Sequence, residues 1–520
     1  MSKKSSLAVL VLSVGLLSAC FGGIGTAGAR ASTTTSSTTP AGASPLGQYR
    51  VISYEPRNSG NGSTGLSTDL WAAYGSTPVA ADLALIRSTG ANAVRVFIGT
   101  GDTGAGYPAV SPGFRSNFAN FMARAAQAGL RVVPSIFNMY PYSPAVAGGW
   151  SADLPNAEAW MQAVVAPYRN SSEIAYIEMR NEIPAPGEDS PNPAGSGVAA
   201  ASWLNIMMPM LRTDAGSAIP IVLSQNHGVP GYEALDAALG SGAKPDAYGY
   251  HFYDSPGYLY GQLTTLVSTL SRPLFVEETG YSTASGYTEG GGSGLATDGT
   301  TRSYYQSWYL QAVAHVTSSL GLGAPAVWDL WDTTHASTQV EADFGLFDGG
   351  SGTTVAKPAV AALKGVYAAL AGVAGVPAPG INGTFSDAGS GPTGGVPAPW
   401  QAQYASGRTR SGSATGGNSL CINSGGYDSY FYEILPLAGP TGTHTLTVWS
   451  TGGGGYTSFA IRWLSSTGTP IGADARVFQP IPEPGWARFS VSSTAPPGAS
   501  TAEVILQANT PGCFSDVTFS

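Results

Sequence analysis

Eight short apolar runs punctuate residues 45–376: Tyr49–Tyr54, Ala93–Ile98, Arg131–Ile136, Ile174–Met179, Ile219–Ser224, Ala247–Phe252, Pro273–Val276 and Ala324–Leu330. Several carry apolar side chains at successive positions, the pattern of strands buried on both faces. Between them, Val79–Ser88, Ser116–Ala128, Ala157–Tyr168 and Thr301–Val316 show helical patterns. Strand and helix alternating in this way predict an α/β fold, a (β/α)8 TIM barrel over 45–376, with a doubly wound open sheet as the competitor. Beyond residue 400 the pattern changes. The runs Thr443–Trp449, Ser458–Trp463, Ala487–Val491 and Ala502–Gln507 are separated by Gly, Pro and Ser clusters, and no helical stretch stands out. That predicts a C-terminal antiparallel β-sandwich over 400–520.

The remaining stretches read as targeting and connecting segments. Lys3 and Lys4 precede an apolar core from Leu7 to Leu17, too short to span a membrane. It ends in Leu17-Ser18-Ala19-Cys20, which resembles the bacterial lipobox, so residues 1–20 are expected to be a lipoprotein signal and Cys20 the lipidated residue. An ordinary signal peptide cut at a later alanine is the alternative. Residues 21–44 are Gly, Ala, Ser and Thr with almost no bulky groups, the composition of a flexible tether. The Pro/Gly-rich stretch 377–399 reads as a linker. Of the three cysteines, a lipidated Cys20 would leave Cys421 and Cys513 as an even pair, expected to form a disulfide in an oxidising compartment. The chain is therefore expected to be exported, to act as a monomer at the cell envelope or outside the cell, and to meet the membrane only through its lipid.

Composition narrows the classes of partner. Charged residues are 11% of the chain, against a usual quarter or about 25%. Hydroxyls, amides and aromatics take their place, which suits neutral ligands. A net charge of −9 argues against nucleic acid, which needs a basic face. His227, His251, His315, His335 and His444 are scattered without metal-ligand spacing. No phosphate-binding loop or Gly-x-Ser-x-Gly elbow is present, so no cofactor and no metal are expected.

Barrel enzymes carry their chemistry at the C-terminal ends of strands. The fourth run continues Tyr176-Ile177-Glu178-Met179-Arg180-Asn181-Glu182, and the seventh continues Val276-Glu277-Glu278-Thr279-Gly280. Each apolar strand runs directly into a carboxylate, and strands 4 and 7 face each other across a barrel mouth. Two carboxyls there can serve as nucleophile and proton donor to one sugar bond. Of the neighbouring acids Glu178 and Glu277, pleat alternation should turn Glu277 away from Glu278.

Asn-Glu closing strand 4 and Glu-Thr-Gly closing strand 7 resemble glycoside hydrolase clan A, most closely family 5 (the cellulase and mannanase type). The resemblance implies a retaining hydrolase of a β-linked polysaccharide or oligosaccharide, glucan or mannan, with Glu182 as acid/base and Glu278 as nucleophile. It further implies that Asn181 binds the sugar 2-hydroxyl, that Arg95 positions the nucleophile and that Tyr253 hydrogen-bonds it. His251 would line the site, and Trp328, or failing it Trp331, would lie under the sugar ring. Two positions depart from the pattern: Asn138 ends strand 3 where the family usually has His, and Arg180 stands where the clan often has Trp. Tyr140, Tyr142 and Trp150 after strand 3 are candidates for lining a sugar subsite. The C-terminal sandwich resembles carbohydrate-binding modules, with Tyr427, Tyr430, Tyr432, Trp449 and Trp463 as either sugar platforms or core. A transglycosylase on the same scaffold, and a glycan-binding lipoprotein without catalysis, are the alternatives.

Overall fold

The computed structural model describes residues 45–57, 68–138, 149–184, 197–225, 228–290, 299–333, 342–349, 354–371, 379–385, 396–403, 405–411, 413–424, 430–437, 442–452, 456–480, 485–508 and 512–520. Cys20, the tether 21–44, His227, His335, Tyr140, Tyr142 and Tyr427 lie outside them, as does the side chain of Trp150.

Seven parallel strands lie side by side in chain order: β1 (Val51–Ser53), β2 (Ala93–Gly99), β3 (Arg131–Asn138), β4 (Ile177–Glu178), β5 (Ile221–Gln225), β6 (Ala247–Phe252) and β7 (Leu274–Thr279). The eighth expected run forms no regular strand, yet it closes the barrel. Val327 bridges in parallel to both Ile52 of β1 and Thr279 of β7. The Val327 N–H donates to Val51 and the Ser53 N–H to Val327, while Ala326 and Trp328 bond to β7. The fold is thus a (β/α)8 barrel, with α1 (Thr68–Ala72), α2 (Val79–Ser88), α3 (Pro112–Gln127), α4 (Gly149–Val165), α5 (Gly197–Ala215), α6 (Gly228–Ala238), α7 (Pro256–Thr269) and α8 (Gly299–Ser319) among its helices. A last helix, Pro358–Ala371, packs on α8.

Local sequence explains the boundaries. β2 is buried at all seven positions, as its unbroken apolar run requires. The second expected helix, Ser116–Ala128, begins four residues earlier than its apolar spacing suggests, at Pro112. The Ser111 hydroxyl caps it by accepting the Phe114 N–H at 3.1 Å, and Pro112 occupies the first helical position. A short hairpin, β8 (Phe347–Asp348) with β9 (Val355–Ala356), precedes the last helix.

The C-terminal part is an antiparallel sandwich. Its strands are β10 (Gln401–Gln403), β11 (Ser406–Ser411), β12 (Asn418–Ser424), β13 (Tyr430–Pro436), β14 (Thr443–Gly452), β15 (Tyr456–Leu464), β16 (Ala475–Pro480), β17 (Ala487–Thr494), β18 (Thr501–Ala508) and β19 (Gly512–Phe519). One sheet runs β10-β13-β18-β15-β16 and the other β11-β12-β19-β14-β17. Phe431, Phe459, Val504 and Leu506 from the first share one core with Leu420, Ile422, Leu446 and Phe514 from the second. Trp463 is also buried there, its indole N–H donating to Ser493. Within the expected linker, Phe385 is fully buried in this core, and Val517 donates its N–H to the Gly383 carbonyl.

The sandwich sits tightly on the barrel. Ser500 and Thr501 hydroxyls donate to the Gly257 carbonyl on α7 at 3.1 and 2.6 Å. A Cβ at Gly257 would press on Thr501, and one at Gly261 would overlap Ser466, so both glycines are needed for close approach. Among the described residues, no helix is long and apolar enough to cross a membrane.

Cys421 and Cys513 form a disulfide between neighbouring strands β12 and β19, 92 residues apart in sequence. The chain-entropy model values such a loop at about 4–5 kcal/mol. The double variant Cys421→Ser/Cys513→Ser should therefore lose up to about that much stability in a urea titration of the sandwich signal. An unchanged unfolding midpoint would show that the sheet pairing alone holds these strands together.

Candidate active site

A charged side chain within an apolar strand must find partners, because an isolated buried charge is very costly. Arg95, in the middle of β2, has no solvent exposure. Each of its three nitrogens donates a hydrogen bond. Nε donates to Glu178 Oε2 on β4 at 2.9 Å, and Nη2 forms an ion pair with the same oxygen at 2.8 Å. Nη2 also donates to Asn181 Oδ1 at 2.7 Å. Nη1 pairs with Glu278 Oε2 on β7 and reaches Ser53 Oγ on β1 at 3.4 Å. Glu178 itself is fully buried, and its other oxygen accepts from the Ser224 hydroxyl on β5. One guanidinium thus ties four strands at the C-terminal end of the barrel. Burial opposes its charge, but Glu178, Glu278 and Glu277 outweigh burial and push its pKa up.

Glu278 is 6% exposed. Beyond Arg95, its Oε1 accepts from the Tyr253 hydroxyl at 2.6 Å and lies 3.6 Å from His251 Nδ1. Burial alone would raise its pKa. The charges of His251 and Arg95, with the hydrogen bonds from Tyr253 and Arg95, overcome burial and hold it below the usual carboxylate value. This carboxyl is kept ionised. Tyr253 is pushed well up by burial and by Glu278, so its hydroxyl stays a donor.

Glu182 follows β4 and has a left-handed backbone, φ +51°, an uncommon conformation for a residue with a side chain. Both of its backbone groups are held. Its N–H donates to Ser224 Oγ at 3.0 Å, and its carbonyl accepts from Arg180 Nη1 at 2.6 Å. Arg180 therefore latches the turn that aims Glu182. The Glu182 side chain is 31% exposed, against 7% for that of Glu278, and Oε1 sits 3.1 Å from His251 Nδ1. Burial disfavours the charged His251, but Glu278, followed by the hydrogen bond and charge of Glu182, raises its pKa to about 9. A carboxylate oxygen of Glu182, one of Glu278 and a His251 ring nitrogen all lie within 4.8 Å of one another.

The structure therefore brings Arg95, Asn181, Glu182, His251, Tyr253 and Glu278 together. Trp328 borders them, 6% exposed and edge-on to Phe97 at 5.6 Å, while Phe97 lies under the Arg95 guanidinium at 4.6 Å. Asn138 closes β3 and is buried, opposite Gly99. Trp331 sits apart from this group, buried beside Phe347 with the Arg57 guanidinium 4.2 Å over its ring. Of the helix α8 aromatics, Tyr305, Trp308 and Tyr309 are buried.

Three participants are not apparent from the motifs alone. Ser224 supports both Glu178 and the Glu182 turn; the signal for it is a hydroxyl ending the apolar run of β5. Glu178 is a structural partner of Arg95, legible as the acid in a neighbouring buried strand that a buried cation needs. Glu277 departs from the expected alternation. Tyr250 pairs with Val276 and His251 with Glu278, so Glu277 is an extra, bulged residue. It is fully buried, with carboxylate oxygens of Glu277 and Glu178 and a His251 ring nitrogen within 4.8 Å of one another. Burial and Glu178 push its pKa up to about 8, against the pull of Arg95 and His251. By distance, Glu178-His251-Glu277 or Glu182-His251-Glu278 could ligate a cation. In each trio, one carboxylate is already bound by Arg95, whose positive charge would repel a metal ion.

No family model matches the chain, and no curated protein does. Among solved structures it is similar to GH5_18 from Streptomyces cattleya in complex with GlcNAc, at 15% identity and TM-score 0.47 over 64% of this chain and 83% of that one. It is similar to the exo-β-1,4-mannosidase Op5Man5 from Opitutaceae bacterium strain TAV5, at 16% identity and TM-score 0.46 over 62% of this chain. The match spans only 60% of that mannosidase's own length. A family 5 xyloglucanase from Paenibacillus pabuli matches at 13% identity and TM-score 0.46, over 62% of this chain and 99% of that one.

Removing Arg95 should expose the cost of the acids around it. Arg95→Ala leaves Glu178 and Glu278 buried without their cation and should cost about 3–5 kcal/mol at neutral pH. The folded-state pKa of Glu278 is depressed, so its stabilisation is present above the ordinary value of 4.5 and is lost as pH falls through the lower folded value. The wild-type advantage over Arg95→Ala in urea titrations should therefore shrink in acid. A gap that stays constant or grows below the ordinary carboxylate range would contradict this account.

Proposed function

We propose that this chain is a retaining glycoside hydrolase acting on a β-linked polysaccharide, glucan or mannan, with Glu278 as nucleophile and Glu182 as acid/base. The observation that carries the reading is the pair itself. The two carboxylates approach within 4.8 Å, and one is held ionised while the other is partly open to solvent. Retaining enzymes keep their carboxyls about 5–5.5 Å apart, whereas inverting ones leave about 6.5–9.5 Å for a water.

The chemistry then follows in two displacements. A Glu278 oxygen attacks the anomeric carbon while the Glu182 proton passes to the glycosidic oxygen. The C–O bond breaks, the leaving sugar departs as an alcohol, and Glu278 becomes a neutral glycosyl ester. Arg95 and Tyr253, which stabilised the carboxylate, hold the ester oxygens in place. Glu182, now a carboxylate, takes a proton from water, and the hydroxide equivalent attacks the same carbon. Glu278 leaves as an anion and Glu182 is protonated again. Asn181, fixed by Arg95, presents its amide to the sugar, and Trp328 offers a ring at the edge of the site. A proton NMR time course on glucans and mannans should give product of retained configuration. A matching 2-fluoro glycoside should label Glu278, and Glu182→Gln should abolish turnover of substrates with poor leaving groups while remaining folded. Inverted product would refute the double displacement. Transfer to sugar in place of water would favour the transglycosylase reading, and binding without cleavage the non-catalytic one.

We infer in addition that the protein is exported and tethered through a lipid on Cys20, from Leu17-Ser18-Ala19-Cys20 and the small-residue stretch behind it. Mass spectrometry of the mature N-terminus should find a lipid-modified Cys20. An unmodified chain starting after Ala31 would count against the anchor.

A further inference from the structure

Glu277 is a buried acid that the double displacement does not use, and the fold makes specific room for it. Strand pleat alone would send Glu277 and Glu278 to opposite faces. The bulge in β7 instead brings the Glu277 carboxyl alongside Glu178 and His251, below the reacting pair. It lies over Gly249 of β6, where a Cβ would overlap its Oε2. The groups around it are Arg95 on β2, Tyr176 and Glu178 in the β4 run, Tyr232 on α6, His251 on β6 and Glu278 beside it. The Tyr176 hydroxyl lies against the Glu277 carboxyl, and among the described residues no charged side chain donates a hydrogen bond to either Glu277 oxygen.

The charge count in this cavity decides the protonation state. Arg95 is the buried guanidinium here, and its hydrogen bonds go to Glu178, Glu278, Asn181 and Ser53. With Arg95 and His251 facing Glu178 and Glu278, an ionised Glu277 would be a third carboxylate for two cations, with the Tyr176 hydroxyl as its donor, which burial makes unfavourable. A protonated Glu277 adds no charge and leaves Arg95 committed to Glu278.

Resting on the reading of Glu278 and Glu182 as the reacting pair, we propose that Glu277 is a positioning residue that carries a proton while the enzyme works, and that its ionisation sets the alkaline limit of activity. Once charged, it competes with Glu278 for Arg95 and with Glu182 for His251. The contacts that keep Glu278 ionised and Glu182 oriented then loosen together.

The stability sign follows from the upward shift. The folded protein holds the Glu277 proton to about 8, whereas the unfolded chain loses it near 4.5. The neutral acid's contribution is complete below the unfolded value and is lost as pH rises through the folded one. Glu277→Gln and Glu277→Met supply neutral replacements. Both should fold, and their stability relative to wild type in urea titrations should improve between about pH 5 and about pH 9. This arm needs no substrate, so it stands apart from the hydrolase reading. In kinetics, Glu277→Gln should move the alkaline limb of kcat/KM up by at least about one pH unit, giving about tenfold more activity than wild type on that limb. The acid limb should stay where it is. Superimposable pH profiles, variants that lose ground against wild type as pH rises, or failure of both variants to fold would overturn the proposal.

Discussion

A guanidinium sealed inside a barrel has to be neutralised where it stands, and Arg95 organises the top of this fold for that reason. Its partners come from β4 and β7, from the turn after β4, and from Ser53 on β1. Each is held in turn: Glu178 by Ser224, Glu278 by Tyr253 and Asn181 by Arg95 itself. A buried ion network of this kind contributes little net stability against an apolar core of equal volume, but breaking it is costly. Its gain is geometric. Two glutamates from opposite sides of the barrel are fixed in different electrostatic settings, one beside a cation and a phenol, the other partly in solvent.

The final placement depends on backbone irregularities at strand ends. A regular parallel strand presents alternate residues to one side, which suits a packed barrel interior but limits which acids can face the mouth. The chain departs from that regularity at three points. Phe137 is bulged opposite Ile98 and Gly99, with φ +54°, and precedes Asn138. Glu182 is in the left-handed region, held by Ser224 and Arg180. Glu277 is bulged and turns inward. Strain of order 1–3 kcal/mol at such points is typical of functional sites and persists only where neighbours over-determine it.

The sandwich extends this rigid frame. It docks on α7, whose first turn lies a few residues beyond Tyr253, and the glycines at the contact leave no space for side chains. The Pro/Gly-rich stretch that precedes it contributes Phe385 to the sandwich core. A segment whose composition suggests a flexible spacer thus contains residues that pack as core, because one aromatic side chain is enough to anchor a short stretch of chain.

Much of the fold was legible because burial on both faces leaves a simple mark. Seven of the eight apolar runs are the barrel strands, and the sandwich runs match its strands to within a few residues. The eighth run closes the barrel through isolated bridges, since its pairing to β1 and β7 is a property of closure and not of local propensity. In the site, Arg95, Glu182 and Glu278 could be singled out because polar groups at the ends or middle of apolar strands are conspicuous. The sequence by itself determined that these charges would be buried and would need one another. Only the tertiary structure decided which acid faces which partner. A one-residue slip between β6 and β7 reverses where a carboxyl points, and that slip is set by contacts between strands distant in sequence. Period-two reasoning therefore sent Glu277 outward, whereas the bulge and the space at Gly249 bring it in.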